Sequence, residues 1–149
     1  MNVKTWTIGA LIMISLLSGC SSSAGTQIDP AVGDTSDMVK RPSGLLVKVI
    51  KASNGPMAVP GETVTVNYVG TLANGTVFDS SIAAGRDPFT FMLGKGQVVA
   101  GWDEGVDGMH VGELRKLIIP PSLGYGEKGQ GSVPPNSTMI FQVELEGIK

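Results

Sequence analysis

One cysteine, Cys20, and one histidine, His110, are the chain's whole stock of the two side chains most used for binding transition metals. A His/Cys metal centre cannot be assembled from them. A Ser–His–Asp triad would have to use His110. That residue lies in Gly108-Met109-His110-Val111-Gly112, which reads as a solvated turn with nothing like a nucleophile elbow beside it. Whatever the chain does is expected to need no metal, no cofactor and no proton-transfer pair. Positive charge is also thin: 11 Lys and Arg stand against 13 Asp and Glu, scattered along the chain, for a net charge of −2. A nucleic-acid partner needs a basic face or stripe, and none is legible. What is plentiful is punctuation. The 21 Gly and 9 Pro suit short strands and tight turns better than long helices. A length of 149 residues argues for one folded domain.

The first twenty residues read as an address. Lys4 gives positive charge, an apolar run extends from Ile8 to Leu17, and small residues precede Cys20. This is the layout of a secretory signal peptide, over residues 1–19. The run is too short to span about 30 Å of hydrocarbon comfortably. Leu17-Ser18-Gly19-Cys20 resembles the lipobox of bacterial lipoproteins, which implies lipidation of the Cys20 thiol and acylation of the new amino group. Two or three acyl chains hold firmly where one does not, at roughly 0.8 kcal/mol per buried methylene. Ser21 and Ser22 follow, with no Asp beside the Cys, a pattern resembling lipoproteins sent to the outer membrane. Residues 20–42 are rich in Ser, Gly, Asp and Pro and show no apolar period. They read as a tether spanning roughly 25 Å.

From residue 43 the chain reads as an α+β domain. Leu45 to Lys51 is a strand. Thr63 to Leu72 alternates, with Val64, Val66, Tyr68 and Gly70 on one face. Asn74-Gly75 is a hairpin signal, since both residues tolerate positive φ, and Val77-Phe78-Asp79 returns as the partner strand. Phe89 to Leu93 is a further strand. Val99, Trp102, Val106 and Met109 mark one face of a helix of two to three turns. That helix contains glycine and should hold only by packing Trp102 and Val106 into a sheet. Leu114 to Ile119 is a strand stopped by Pro120-Pro121. After a long loop, Met139, Phe141, Val143 and Leu145 alternate with Ile140, Gln142, Glu144 and Glu146 in a last strand. The expected architecture is about five antiparallel strands closing on one short helix.

Three groups of segments, in order, resemble the FKBP family of peptidyl-prolyl cis–trans isomerases. The opening is Val66-Asn67-Tyr68-Val69-Gly70 with Asn74-Gly75-Thr76-Val77-Phe78-Asp79-Ser80-Ser81. The middle is Pro88-Phe89-Thr90-Phe91-Met92-Leu93-Gly94 with Val98-Val99-Ala100-Gly101-Trp102-Asp103-Glu104-Gly105. The end is Ile119-Pro120-Pro121-Ser122-Leu123-Gly124-Tyr125-Gly126, Val133-Pro134-Pro135-Asn136 and Phe141-Gln142-Val143-Glu144-Leu145. The resemblance covers essentially all of residues 43–149. It implies a sheet half-wrapped around the helix, with an aromatic pocket between them. Trp102 would floor that pocket; Tyr68, Phe78 and Phe141 would wall it, with Asp79, Phe89 and Val98 beside them. The Tyr125 hydroxyl and the Val99 N–H would bond carbonyls of a bound peptide. It further implies an enzyme acting on proline-containing segments of exported proteins, inhibited by rapamycin or tacrolimus-like macrolides, and monomeric. Two departures from the pattern touch the rim. One residue is gained between Phe78 and Phe89. The loop after Tyr125 is one shorter, with Gln130 where many relatives have His.

The residue types suit the reaction. Rotation about a peptide bond crosses a barrier of roughly 18–20 kcal/mol, and X–Pro bonds exchange in tens to hundreds of seconds. No bond breaks. The twisted transition state is less dipolar than the planar amide, so an apolar aromatic pocket favours it. Asp79 is the odd member, since a carboxylate beside such a pocket is costly unless paired. Arg86, in the following loop, is the expected partner. Two other readings remain open on sequence: a module that holds Pro-containing segments without turnover, and a structural lipoprotein with a relict pocket.

Overall fold

The computed structural model describes residues 35–149. The expected signal peptide, Cys20 and the first part of the expected tether lie outside them. Seven strands form one antiparallel sheet: β1 (Val39–Lys40), β2 (Leu46–Lys51), β3 (Thr63–Leu72), β4 (Val77–Ser80), β5 (Phe89–Met92), β6 (Leu114–Ile119) and β7 (Met139–Ile148). Their spatial order is β1-β2-β6-β7-β3-β4, with β5 also paired to β3. One helix, α1 (Ala100–Val106), crosses between β5 and β6, and a 3₁₀ turn covers Pro121–Leu123. Six of the seven strands are those read from the sequence, against an expected total of about five. β4 and β5 share one neighbour: β5 pairs with Thr63–Val66 and β4 with Val69–Thr71. The residues between them leave the ladder, and Pro88, which has no N–H to give, stands just before β5. The seventh is β1, which falls inside the segment read as a tether and pairs Val39 with Val47 and Lys40 with Leu46.

The period-two pattern of β3 and β7 is only partly kept. Val64 and Val66 are fully buried, as are Met139, Val143 and Leu145, and Phe141 nearly so. The opposite face is buried as well toward one end. Val69, Thr71, Ile118, Ile140 and Gln142 have 8% exposure or less. They are cross-strand neighbours: Ile118 faces Ile140, which faces Thr71, and Val69 faces Gln142. Adjacent side chains in register cover one another, so Ile140 and Gln142 are buried although they alternate with Met139, Phe141 and Val143. The Asn74-Gly75 hairpin forms with only Gly75 at positive φ (85°). The Gly75 N–H bonds Leu72 O at 2.9 Å, and Asn74 takes part through its side chain, whose Oδ1 accepts the Thr76 N–H at 2.9 Å.

The helix is short, seven residues, and rests directly on β6. A Cβ on Gly101 would lie 2.6 Å from Ile119 Cγ2, and one on Gly105 would lie 2.5 Å from Leu117 Cδ1. These glycines lower helix propensity but let the helix approach the strand. Trp102, Val106 and Met109 enter the core beside Leu117, Ile119 and Val143. Below the helix a buried ion pair secures its carboxyl end. Arg115 donates from Nη1 to Gly105 O (2.9 Å) and Asp107 O (3.1 Å), from Nη2 to Gly108 O (3.1 Å), and from Nε to Glu113 Oε1 (2.5 Å). This supplies donors to carbonyls that a helix terminus leaves unpaired. The second Glu113 oxygen accepts the His110 N–H at 3.0 Å and lies 3.3 Å from His110 Nδ1. His110 is therefore half-exposed but bound to Glu113, more than a free turn residue.

Candidate active site

The cavity lies where α1 faces the β3–β4–β5–β7 end of the sheet. It encloses about 210 Å³ and is lined by Tyr68, Phe78, Asp79, Phe89, Gln97, Val98, Val99, Trp102, Tyr125 and Phe141. Each element contributes at a defined point. β3 supplies Tyr68, β4 supplies Phe78 and Asp79, β5 supplies Phe89 and β7 supplies Phe141. Val98 and Val99 lead into the helix that carries Trp102, and Tyr125 follows the 3₁₀ turn. All nine pocket residues named from sequence meet here.

Trp102, 4% exposed, is the hub. Its ring centroid lies 5.0 Å from Tyr68 at 82°, 5.1 Å from Phe141 at 89°, and 6.1 Å from Phe89 at 79°. Phe78 meets Phe141 edge to face at 5.5 Å. These are favoured aromatic geometries, and each ring restricts its neighbours' rotamers. The Trp102 Nε1 is buried with no hydrogen-bond partner among the described residues.

Polar groups sit on one wall. The Tyr68 hydroxyl donates to Asp79 Oδ2 at 2.6 Å. Asp79 Oδ1 accepts from Arg86 Nη1 at 2.6 Å and from the Ser80 N–H at 2.9 Å. Arg86 Nη1 also reaches Ser80 O at 2.8 Å, so it ties the β4–β5 loop to its own base. Burial pushes the Asp79 carboxyl up, but the bonds from Tyr68, Arg86 and Ser80 outweigh it, and the net shift is downward. Burial, then the bond to Asp79, pushes the Tyr68 hydroxyl well above its usual range. At neutral pH the site therefore holds an ionised Asp79 and a neutral Tyr68 already committed to it.

Two contributors are not obvious in the sequence. Gln97 lines the cavity and accepts the Met92 N–H on Oε1 at 2.8 Å; its only sequence signal was its place before Val98-Val99. Gly70 makes room for the aromatic wall, since a Cβ there would lie 2.7 Å from Phe141 Cε1 and 2.8 Å from Phe78 Cζ. A glycine in the core-facing register of a strand is the signal that could have found it. Gln130 is absent from the lining. Its backbone pairs with Val133 in both directions, at 2.9 and 2.8 Å.

The lining thus offers an apolar concavity, a carboxylate engaged on both oxygens and the Tyr125 hydroxyl. Its one hydroxyl–carboxylate pair, Tyr68 with Asp79, keeps the proton on Tyr68, so the site suits a change governed by shape and polarity. Comparisons with known proteins agree. The family described as FKBP-type peptidyl-prolyl cis-trans isomerase matches residues 55–146. FK506-binding protein 1 of Dictyostelium discoideum is 54% identical over 103 residues, 68% of this chain and 95% of that protein. Peptidyl-prolyl cis-trans isomerase FKBP53 of Arabidopsis thaliana is 50% identical over 124 residues, 80% of this chain but only 26% of that longer protein. The crystal structure of AtFKBP13 superimposes with a TM-score of 0.71 at 39% identity, covering 76% of this chain and 99% of that one. With the fold, the ordered motifs and these relatives in agreement, the chain belongs to the FKBP-type peptidyl-prolyl cis–trans isomerase family.

Proposed function

We propose that the cavity binds the X–Pro segment of an exported polypeptide and lowers the barrier to rotation about its amide by accepting the twisted form better than the planar one. The observation that carries this is the Trp102-centred aromatic concavity of about 210 Å³. It is smaller than the roughly 300–1,000 Å³ of drug-sized sites, which suits a prolyl ring with its flanking carbonyls. A planar amide entering it loses hydration in proportion to its dipole, and the twisted amide loses less. In this reading Trp102 carries the prolyl ring, and Tyr68, Phe78, Phe89, Val98 and Phe141 exclude water. The Val99 N–H and the Tyr125 hydroxyl hold substrate carbonyls, while Asp79 orients Tyr68. The clients are exported because residues 1–20 carry a signal peptide and lipobox. Cys20 anchors a monomeric domain in a bacterial envelope membrane, with the outer membrane or cell surface favoured.

A protease-coupled assay on a short X–Pro peptide tests this directly. Turnover is expected, with competitive inhibition by rapamycin, whose pipecolinyl ring mimics proline. Turnover unaffected by saturating rapamycin would place the active site elsewhere. Peptide binding with negligible turnover would make the domain a holding module. Phe141→Ala removes a wall ring beside Trp102 and should lower kcat/KM by about tenfold or more, as expected when site geometry loosens.

A further inference from the structure

The chain crosses from the sheet edge to the helix through residues 93–99, and that crossing ends in the valines that line the cavity. Two of its residues, Gly94 and Gly96, have left-handed backbones (φ 75° and 69°), so the turn is held in a conformation few other residues adopt. One side chain spans it from outside. Asp103 Oδ1 accepts the Gly94 N–H at 2.9 Å, and Asp103 Oδ2 accepts the Gly96 N–H at 3.0 Å. Both carboxylate oxygens are used, each on a different amide of one turn. Asp103 is also the residue after Trp102, so a single turn of α1 carries the cavity floor and the brace for its wall. The opposite side of the crossing is tied by Gln97 to Met92 N–H.

From this geometry we infer that Asp103 is a positioning residue. Its carboxylate fixes the crossing against α1, and so sets the Val98 side chain and the Val99 N–H relative to the Trp102 indole. The inference rests on the cavity being the isomerase site. The competing role is that of an acidic group in the first turn of a helix, acting through its charge on the helix dipole. The two separate by substitution. Asp103→Glu keeps the charge but changes the reach of both oxygens. Asp103→Asn keeps the size with one acceptor. Asp103→Ala loses both.

The experiment measures kcat/KM on an X–Pro peptide, thermal midpoints and backbone amide resonances for these three variants of the full chain. Positioning predicts that the Gly94, Gly96, Val98 and Val99 amides move together in Asp103→Ala. It predicts that kcat/KM falls by about tenfold there, and by less in Asp103→Asn. Asp103→Glu should also lose activity despite its charge, and every loss should exceed the unfolded fraction at the assay temperature. Wild-type kcat/KM in all three, or a loss that Glu fully rescues, overturns the inference. A wild-type protein without turnover overturns the isomerase reading instead. Asp103 is then judged on the Val98 and Val99 amides, which overturn its role if they do not move in Asp103→Ala.

Discussion

Asp79 meets a substrate with both carboxylate oxygens already engaged, by Tyr68, Arg86 and the Ser80 N–H. A second carboxylate arriving nearby finds no free cation in the cavity lining, which is otherwise Phe78, Phe89, Val98 and Val99 on the apolar side. A peptide with Leu or Phe before proline is therefore expected to turn over at least about tenfold faster than one with Glu. Desolvation and like-charge repulsion oppose the Glu side chain, and an apolar side chain gains roughly 1–3 kcal/mol of discrimination in such a groove. Side-by-side kcat/KM values decide it, and Asp79→Asn should narrow the gap by removing the repulsion. The buried pair under the helix gives a second residue-scale expectation. Burial pushes the Glu113 carboxyl up, but the His110 N–H and the Arg115 guanidinium outweigh it, leaving it below its ordinary 4.5. A depressed carboxyl binds its proton more readily in the unfolded chain. Its contribution is present above pH 4.5 and is lost as pH falls through the lower folded value. Urea midpoints should hold from about pH 7 to 5 and then decline, and Glu113→Gln should flatten that decline. Arg115→Ala leaves Glu113 buried without its partner and is expected to cost about 3–5 kcal/mol.

At the scale of elements, α1 reverses the usual effect of replacing glycine in a helix. Propensity alone says that Gly105→Ala gains about 1 kcal/mol. The added Cβ would lie 2.5 Å from Leu117 Cδ1, with Cδ2 at 2.7 Å. Overpacking of that kind costs typically 1–3 kcal/mol, so the variant should unfold at lower urea than wild type. It should also lose kcat/KM, because pushing the helix off β6 moves Trp102. A gain in stability with unchanged turnover would mean that the helix is free to slide. Helix and strand positions were largely legible in the sequence because apolar period and turn residues act locally: Trp102 and Val106 marked a face and Pro120-Pro121 marked a stop, although the helix ends at Val106, so that Val99 and Met109, read as part of that face, flank it instead. The nine pocket positions were legible through the ordered motifs, together with the partnership of Arg86 with Asp79. What stayed hidden depends on contacts between distant segments. The outer-face burial of Ile140 and Gln142 comes from neighbours on β3 and β6. The grip of Arg115 on Gly105, Asp107 and Gly108 carries no periodic signal, and neither does the space that Gly70 leaves for Phe78 and Phe141.

Across the whole molecule, the sheet order sets the first described strand apart from the strand that carries Phe78 and Asp79. β1 lies at one edge, whereas β4, with Phe78 and Asp79, lies at the other. If Cys20 carries a lipid anchor, Cys20→Ser should yield an exported protein found in the soluble fraction. A wild type that takes up no labelled fatty acid would remove the lipid anchor from the account. The segment around β1 is more than a spacer. Asp37 pairs with Lys48, Arg41 Nη1 donates to Glu104 O at 2.8 Å, and Ser43 Oγ donates to Glu104 Oε1 at 2.8 Å. These contacts tie the segment to β2 and to α1, but none buries a large apolar side chain, since Val39 is 68% exposed. Exposed ion pairs contribute about 0–1 kcal/mol each, and a net hydrogen bond about 0.5–1.5 kcal/mol. A fragment of residues 43–149 retains every buried core residue among those described. It should fold in one cooperative transition, about 1–2 kcal/mol less stable than a fragment of residues 35–149. Its kcat/KM should match, because none of the lost contacts involves a residue of the cavity lining. Urea titration and the peptide assay on the two fragments check both halves. Equal stabilities would show that β1 and Arg41 contribute nothing in solution. A loss of turnover larger than the unfolded fraction would show that the hold of Arg41 on Glu104 reaches through α1 to Trp102.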